Sequence, residues 1–433
     1  METEQRTGRT IGARKWSVLL LFGLVGQLAW SIENMYFNVF VYNTITTDPS
    51  VISAMVAASA VTATVTTLLV GAWSDRVGRR KAFMTVGYIL WGLSTMAFGF
   101  ISLQGITALL PAANAVHAAS VLVVLLDCVM TVFGSTANDG AFNAWVTDNI
   151  SDDNRGRAEA VLATLPLVAM LIIFGGFDSL TQQGRWQLFF TIFGVLVTLA
   201  GIAGFFLVKD APDLRRGEGG YFKNIFYGMR PSVVRGNRTL YTVLLAMLVF
   251  SSSAQVFLPY LIIYIQNYLR MDNYPIVLGV VLIVASVSSA LLGRVIDRVG
   301  KLRFLAFAAP VEAVGLVLMV FARGTVGVIL AGIVMMTGYM AVSAAISGLL
   351  RDYTPAGKAG HFQGIRMIFM VALPMIIGPA IGSAVIKGSG LTYVELGVTK
   401  QVPTPHIFTA SAVLLALLIP VLLLLRRAER RHL

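Results

Sequence analysis

Long apolar runs separated by short polar loops dominate this chain of 433 residues. A helix needs about 20 mostly apolar residues to cross the hydrocarbon core of a bilayer. Runs of that length form one set near residues 16–42, 51–73, 82–103, 117–146, 157–178 and 186–208, and a second near 239–267, 275–295, 303–321, 325–349, 362–387 and 406–425. The pattern predicts an all-α integral membrane protein with twelve transmembrane helices.

A polar stretch between the two sets predicts the domain division. The expected units are an N-terminal six-helix bundle over residues 1–208, a cytoplasmic linker over 209–238, and a C-terminal six-helix bundle over 239–433. Residues 221–227 of the linker fit either a short amphipathic helix at the headgroup boundary or part of a plain tether.

Two repeated loops indicate that the halves are pseudo-symmetric. Residues 75–80 read Asp-Arg-Val-Gly-Arg-Arg, and residues 297–301 read Asp-Arg-Val-Gly-Lys, about half the chain later. A second repeat relates residues 148–156 to residues 352–360. Internal repeats of this size are typical of transporters built from two similar membrane bundles.

Composition and charge agree with a membrane protein. Hydrophobic residues make up 57% of the chain and charged residues 12%, and the mean hydropathy is +0.78. In soluble domains, about 45–50% of the residues are apolar and about 25% are charged. The net charge of +12 comes from cations dispersed in short loops, which argues against a nucleic-acid partner. All but five of the 33 Lys and Arg residues fall on one predicted side, so both termini are expected in the cytoplasm of a multi-pass cell-membrane protein.

A family resemblance follows from the first repeated loop. Gly71-x-x-x-Asp75-Arg76-x-Gly78-Arg79-Arg80, placed after the second helix of a six-plus-six arrangement, resembles the major facilitator superfamily. Residues 138–148, Asn-Asp-Gly-Ala-Phe-Asn-Ala-Trp-Val-Thr-Asp, are similar to the glycoside–pentoside–hexuronide cation symporters, the melibiose-carrier branch. The resemblance implies alternating access and cation-coupled sugar transport.

The repeated loops are also candidates for a cytoplasmic gate. An acid at a helix end accepts from backbone N–H groups or pairs with a cation, and glycine permits the tight turn. The other interpretation is that the cations only anchor the topology. The predicted gating residues are Asp75, Arg76, Gly78, Arg79, Arg80, Asp148, Arg155, Asp297, Arg298, Gly300 and Asp352.

Carboxyl groups inside the predicted spans are the candidates for binding. A charge at membrane depth costs about 2.5–3.5 kcal/mol on insertion scales, so each such residue suggests a function. Glu33 lies near Trp30, Asn34, Tyr36 and Asn38, a set that suits a polyhydroxylated ligand. A solvated glutamate within an aromatic belt is the other interpretation.

The fourth span contributes a second candidate. Asp139, one turn from Asn143, aligns with the cation-site acid of the resembled family; a helix–helix hydrogen bond is the other interpretation. Asp127 lines an outer vestibule or is structural, and Glu312, after Pro310, is expected to be structural.

The seventh span adds weaker candidates. Gln255 and Tyr264 flank Pro259, which predicts a broken helix near the site.

The predicted function is secondary active symport of a sugar or glycoside coupled to a cation. H⁺ is favoured over Na⁺ because the second span lacks the acids of sodium-coupled members. The alternative is a proton-coupled exporter of amphipathic compounds, and a non-transporting receptor or scaffold is a third hypothesis. No nucleotide-binding loop or nucleophile–base pair suggests an enzyme, and no cofactor or metal is expected. The expected partners are a small molecule and the bilayer, with a monomeric chain.

Overall fold

A computed structural model describes residues 11–108, 111–211, 227–355, 359–395 and 398–429. Within them, eleven helices are long and apolar enough to cross a membrane, and Arg80–Phe98 supplies a further long helix. In chain order these helices are α1 (Ala13–Thr44), α2 (Pro49–Val77), α3 (Arg80–Phe98), α4 (Asn114–Asn149), α5 (Asn154–Gln182), α6 (Trp186–Leu207), α7 (Arg238–Tyr268), α8 (Tyr274–Val299), α9 (Lys301–Phe321), α10 (Gly324–Tyr353), α11 (Gly364–Ser389) and α12 (His406–Arg427). The all-helical membrane architecture predicted from hydropathy is therefore confirmed.

Helix α3 falls outside the group of eleven helices that are long and apolar enough to cross a membrane. It contains 19 residues and corresponds to the run predicted at 82–103. Arg80 and Lys81 form its first turn, and these two charged residues lower its mean hydropathy. Its position among the helices depends on packing, because it is the principal neighbour of α6.

Short elements lie between the long helices. A β-hairpin that hydropathy did not predict joins α11 to α12 and consists of β1 (Thr392–Glu395) and β2 (Val398–Gln401). The strands are antiparallel, with Thr392 opposite Gln401. Short helices cover Leu103–Thr107, Tyr227–Met229 and Pro231–Gly236. Residues 221–227 of the linker, for which an amphipathic helix is one prediction, lie mostly outside the described residues.

The chain divides into two compact units that interrupt three helices. One unit comprises Met1–Ile32, Val65–Ile101 and Leu126–Gly219, and the other comprises Glu33–Thr64, Ser102–Leu125 and Gly220–Leu433, within the described ranges. Thus α1, α2 and α4 each contribute to both. The division at residue 208 inferred from the sequence stays a prediction.

Glycines allow close helix packing within the first unit. A Cβ on Gly92 would lie 2.4 Å from the main-chain oxygen of Gly194, so α3 and α6 touch backbone to backbone. Beside this contact, Phe189, Phe190 and Phe193 form an edge-to-face aromatic cluster. Small residues in membrane helices permit such approaches and the van der Waals packing that holds helices together in lipid.

The same device recurs within the second unit. A Cβ on Gly315 would lie 2.3 Å from the Cα of Met335, which brings α9 against α10. A Cβ on Gly378 would lie 2.4 Å from the Cβ of Gln255, which brings α11 against α7. These contacts set the separation of the helices that carry several predicted site residues.

Candidate functional site

The principal acidic candidates lie on π-helical segments. Ile32–Tyr36 interrupts α1 and contains Glu33, and Ser135–Phe142 interrupts α4 and contains Asp139. A π segment has a wider turn, leaves backbone groups with altered partners, and occurs frequently at functional sites. Arguments from 3.6-residue periodicity therefore misplace the side chains that follow each segment.

Glu33 is buried against α2. The residue is 6% exposed, and the hydroxyl of Ser59 donates to its Oε1 over 2.7 Å. Ser59 was missed from the sequence, although a hydroxyl among the alanines of residues 57–60 was the available signal. The hydroxyl supplies a hydrogen bond that partly compensates for removing the carboxyl group from water.

The residues around Glu33 separate into accessible and packed side chains. Asn34 is exposed, whereas Tyr36 and Asn38 are almost completely buried. The side-chain amide of Asn38 donates to the main-chain oxygen of Asn34 over 2.8 Å, a hydrogen bond within the same helix. Trp30, in the other unit, lies with its ring centroid 5.1 Å from that of Trp91.

Asp139 lies beside a buried hydrogen-bond chain in the first unit. The amide of Asn138 donates to the hydroxyl of Tyr88 over 2.7 Å, and this hydroxyl donates to the main-chain oxygen of Phe22 over 2.7 Å. Asp139 is only partly buried, and exposed Asn143 donates its amide to the main-chain oxygen of Asp139 over 3.2 Å. These two hydrogen bonds fix α4 to α1 and α3 next to Asp139, the candidate coupling acid. Sequence reasoning did not find Tyr88, whose partner is 50 residues away.

Two other acids of the first unit are more deeply buried. Asp127 is 2% exposed, and the Thr131 hydroxyl donates to its main-chain oxygen over 2.8 Å. Asp178 was overlooked because it falls at the edge of the run predicted at 157–178. It is 1% exposed and accepts from the amide of Gln182 over 2.6 Å.

Helix α7 is interrupted near Pro259, as its proline predicted. The backbone forms a 3-10 turn over Leu258–Tyr260 and a π segment over Tyr264–Tyr268. Tyr264 is fully buried, with its ring 5.2 Å from those of Tyr268 and Phe408. Gln255 is partly buried against Gly378.

The repeated loops hold an ion pair in each unit. Arg80, 5% exposed, donates through Nε to Asp148 over 3.0 Å and through Nη1 to Ser74 over 2.6 Å. Lys301 donates to Asp352 over 2.6 Å. The two acids are those matched in the second sequence repeat, so the duplication extends from motif to contact.

The turns within these loops require glycine, and other gating candidates stay at the surface. Gly78 and Gly300 have φ of +66° and +88°, a conformation that side chains with a Cβ rarely adopt. Exposed Arg76, Arg79 and Arg298 make no ion pair with another described residue, and Arg155 donates to the main-chain oxygen of Thr147 over 3.2 Å. The side chains of Asp75 and Asp297 lie outside what the structure describes.

We expect Arg80→Gln to lower the free energy of unfolding by about 1.5–3 kcal/mol, the range for hydrogen bonds to charged groups. The change removes the guanidinium group that donates to Asp148 and to Ser74. Thermal unfolding in detergent would measure the loss. The control is Arg79→Gln, an exposed neighbour for which a change within about 0.5 kcal/mol is expected. Equal effects of both substitutions would contradict a specific ion pair.

A polar cluster links the α1–α2 loop to α11 and β2 within the second unit. Lys387 contacts Asp48 over 3.0 Å and donates to Ser50 over 3.0 Å. The Tyr42 hydroxyl donates to the main-chain oxygen of Gln401 over 2.6 Å. Nothing in the sequence pattern paired these segments, which are more than 330 residues apart.

Partial burial raises the pKa of Asp48, but hydrogen bonds from Ser50 and the charge of Lys387 outweigh it and hold the pKa below its ordinary value of 3.8. The pair therefore stabilises the fold fully at pH values above the ordinary pKa of 3.8. This contribution is lost as the pH falls through the lowered pKa of Asp48. Since both side chains are nearly half exposed, we expect Asp48→Asn to cost less than about 1 kcal/mol. The wild-type minus variant difference in unfolding free energy should be constant near neutral pH and shrink in added salt. A difference that persists in strong acid would contradict this assignment.

Comparison with known proteins agrees with this architecture. The sequence model described as Major Facilitator Superfamily matches residues 19–379 and 276–433. No curated protein sequence matches the chain significantly.

Among solved structures, the nucleoside transporter NupG aligns with a TM-score of 0.69 at 11% identity, covering 96% of this chain and 99% of that one. A bacterial homolog of the human lysosomal transporter Spinster, inward-facing and unoccupied, aligns with a TM-score of 0.66 at 14% identity, covering 97% of this chain and 96% of that one. The xylose transporter XylE from E. coli, partially occluded and inward open, aligns with a TM-score of 0.64 at 14% identity, covering 94% of this chain and 97% of that one. At these identities the likeness shows the fold alone.

Proposed function

Because the chain belongs to the Major Facilitator Superfamily and is a membrane transporter rather than an enzyme, we propose that it couples H⁺ to symport of a sugar or glycoside across the cell membrane. The supporting observation is the setting of Asp139. The carboxyl group belongs to a partly buried residue on a π segment inside a membrane helix, and it forms no ion pair with a described Lys or Arg. Such a group can gain and lose a proton without breaking a structural salt bridge.

The chemistry at Glu33 and Asn34 favours a polyhydroxylated substrate. Glu33 supplies hydrogen-bond acceptors, and the exposed amide of Asn34 supplies both a donor and an acceptor. Ser59 orients Glu33 through the 2.7 Å hydrogen bond. In this proposal, Asp139 carries the proton and Glu33 with Asn34 binds substrate hydroxyls.

Alternating access would then use the ion pairs at the predicted inner end. The ion pair Arg80–Asp148 joins the consecutive helices α3 and α4 of one unit, and Lys301–Asp352 joins α9 and α10 of the other. Each pair holds the ends of its two helices together. The predicted cytoplasmic side of both pairs rests on the distribution of Lys and Arg. H⁺ is preferred to Na⁺ because α2 has no carboxylate between Pro49 and Trp73 to supplement the site.

Proteoliposomes containing a pH-sensitive dye test the proposal. A panel of hexoses, pentoses, glycosides and nucleosides is added outside; nucleosides are included because NupG carries that name and they contain a sugar ring. We expect at least one sugar to acidify the lumen. Asp139→Asn should abolish this net proton uptake but retain exchange of labelled sugar for unlabelled sugar, since only proton transfer is removed.

The matched control is Glu159→Gln, which also neutralises one carboxylate but at an exposed position on α5. It should leave proton uptake unchanged. Proton uptake that survives in Asp139→Asn would overturn the coupling role. Proton-driven efflux of ethidium, with no response to any sugar, would instead support the exporter alternative.

A further inference from the structure

A second acid is buried far from any helix end in the second unit. Glu312 lies in the middle of α9, two residues after Pro310, and is 1% exposed. It lies eleven positions after Lys301, the first residue of the helix, or about 16 Å along the axis. Val311 and Val314, on other faces of α9, are exposed as expected for lipid contact. The carboxyl group therefore points into protein rather than into lipid or water.

The neighbouring helix seals this carboxyl group. A Cβ on Gly338 of α10 would lie 2.5 Å from both the Cα and the main-chain N of Glu312. Helices α9 and α10 are the most extensively packed pair in the unit. The Oε2 atom is inaccessible to solvent and has no hydrogen-bond partner among the described residues. An ionised carboxylate would thus hold its charge in an apolar contact without full hydrogen bonding.

No described cation approaches Glu312 from the packed elements. Tyr339, next to Gly338 on α10, is the titratable side chain that interacts with it, and it is itself an acid. The other helices against α9 are α8 and α12. Their charged residues lie in terminal turns, at Arg298, His406, Arg426 and Arg427 among the described side chains, many residues along from the helix midpoints.

From this geometry we propose that Glu312 is a proton-binding site, distinct from Asp139, that holds its proton whenever α9 and α10 are packed together. Protonation leaves a neutral group that the apolar contact tolerates. Loss of the proton creates a buried charge, which favours separation of the two helices and entry of water. Proton binding at Glu312 is thereby linked to the packing of this helix pair, and raising the pH loosens it.

Infrared spectroscopy of the purified full-length protein tests the proposal without requiring a substrate. The wild type at neutral pH should show a protonated-carboxyl C=O band that is absent from Glu312→Gln. In the wild type, strongly alkaline pH should remove this band. Hydrogen–deuterium exchange of α9 and α10, corrected for the intrinsic pH effect, should rise over the same range in the wild type and stay constant in Glu312→Gln.

Glu159→Gln is the matched control, because its exposed carboxylate should contribute only to the ionised band. If Glu312→Gln does not fold, Glu312→Met gives the same spectral comparison with an apolar side chain of similar volume, which often replaces a buried charge without loss. A band at neutral pH that survives in both variants, or exchange that rises equally in all proteins, would overturn the proposal. Neither result depends on whether sugar transport is found.

Discussion

Gly26→Ala is expected to lower the free energy of unfolding by about 2–6 kcal/mol and to abolish transport. A Cβ at this position would lie 2.0 Å from Nδ2 of Asn138 and 2.8 Å from the hydroxyl of Tyr88. Asn138 would have to leave its hydrogen bond with Tyr88. Overpacking costs about 1–3 kcal/mol and a buried unsatisfied group another 1–3 kcal/mol. Asp139, the next residue of the π segment, would move with Asn138.

Thermal unfolding in detergent and proton uptake by proteoliposomes would measure the two consequences. Gly156→Ala is a suitable control because a Cβ there meets nothing within 4 Å. It should be neutral or stabilise α5 by up to about 1 kcal/mol, the helix-propensity gain of alanine over glycine. Equal stability of the two variants would show that α1 and α4 are not in contact at Gly26.

Gly338→Ala should separate α9 from α10 and destabilise the second unit by about 1–3 kcal/mol, as overpacking does elsewhere. The new methyl group would meet the Cα and main-chain N of Glu312 at 2.5 Å. A side chain at such a contact could rotate away, but backbone atoms cannot move without shifting a whole helix.

The control for this contact lies on the same helix. A Cβ on Gly327 would meet only the Cα of Ala322, at 3.9 Å, so Gly327→Ala should leave stability unchanged or slightly increased. Hydrogen–deuterium exchange would locate the change, with faster exchange in α9 and α10 of Gly338→Ala alone. Unchanged exchange in both variants would contradict the packing described for this pair.

Hydropathy predicted nearly all of the helical framework because membrane insertion depends on local properties. An apolar run either is or is not long enough to span, and no distant contact alters that. The turns at Gly78 and Gly300 could likewise be predicted from the sequence, since a tight turn needs a residue that tolerates positive φ. The β-hairpin was missed because two short strands in a loop leave little periodicity to detect.

The site was predicted less completely, for a geometric reason. Glu33 and Asp139 stood out because carboxyl groups are rare in apolar runs. Their partners did not: Ser59 lies 26 residues from Glu33, and Tyr88 lies 50 residues from Asn138. Hydroxyl groups are common in membrane helices, so only their position identifies these two. The π segments also shift side chains away from the faces that an α-helical period predicts.

The sequence by itself determined that this chain is a membrane protein of repeated halves, and its motifs indicated the superfamily. Both follow from properties that are local or that repeat along the chain. Tertiary structure alone decided that Arg80 is buried on Asp148, that Asp139 is partly buried, and that Glu312 is sealed against Gly338. The reason is physical: the accessibility and charge state of a carboxyl group depend on which helix packs over it, and helix packing brings together residues that the sequence keeps apart.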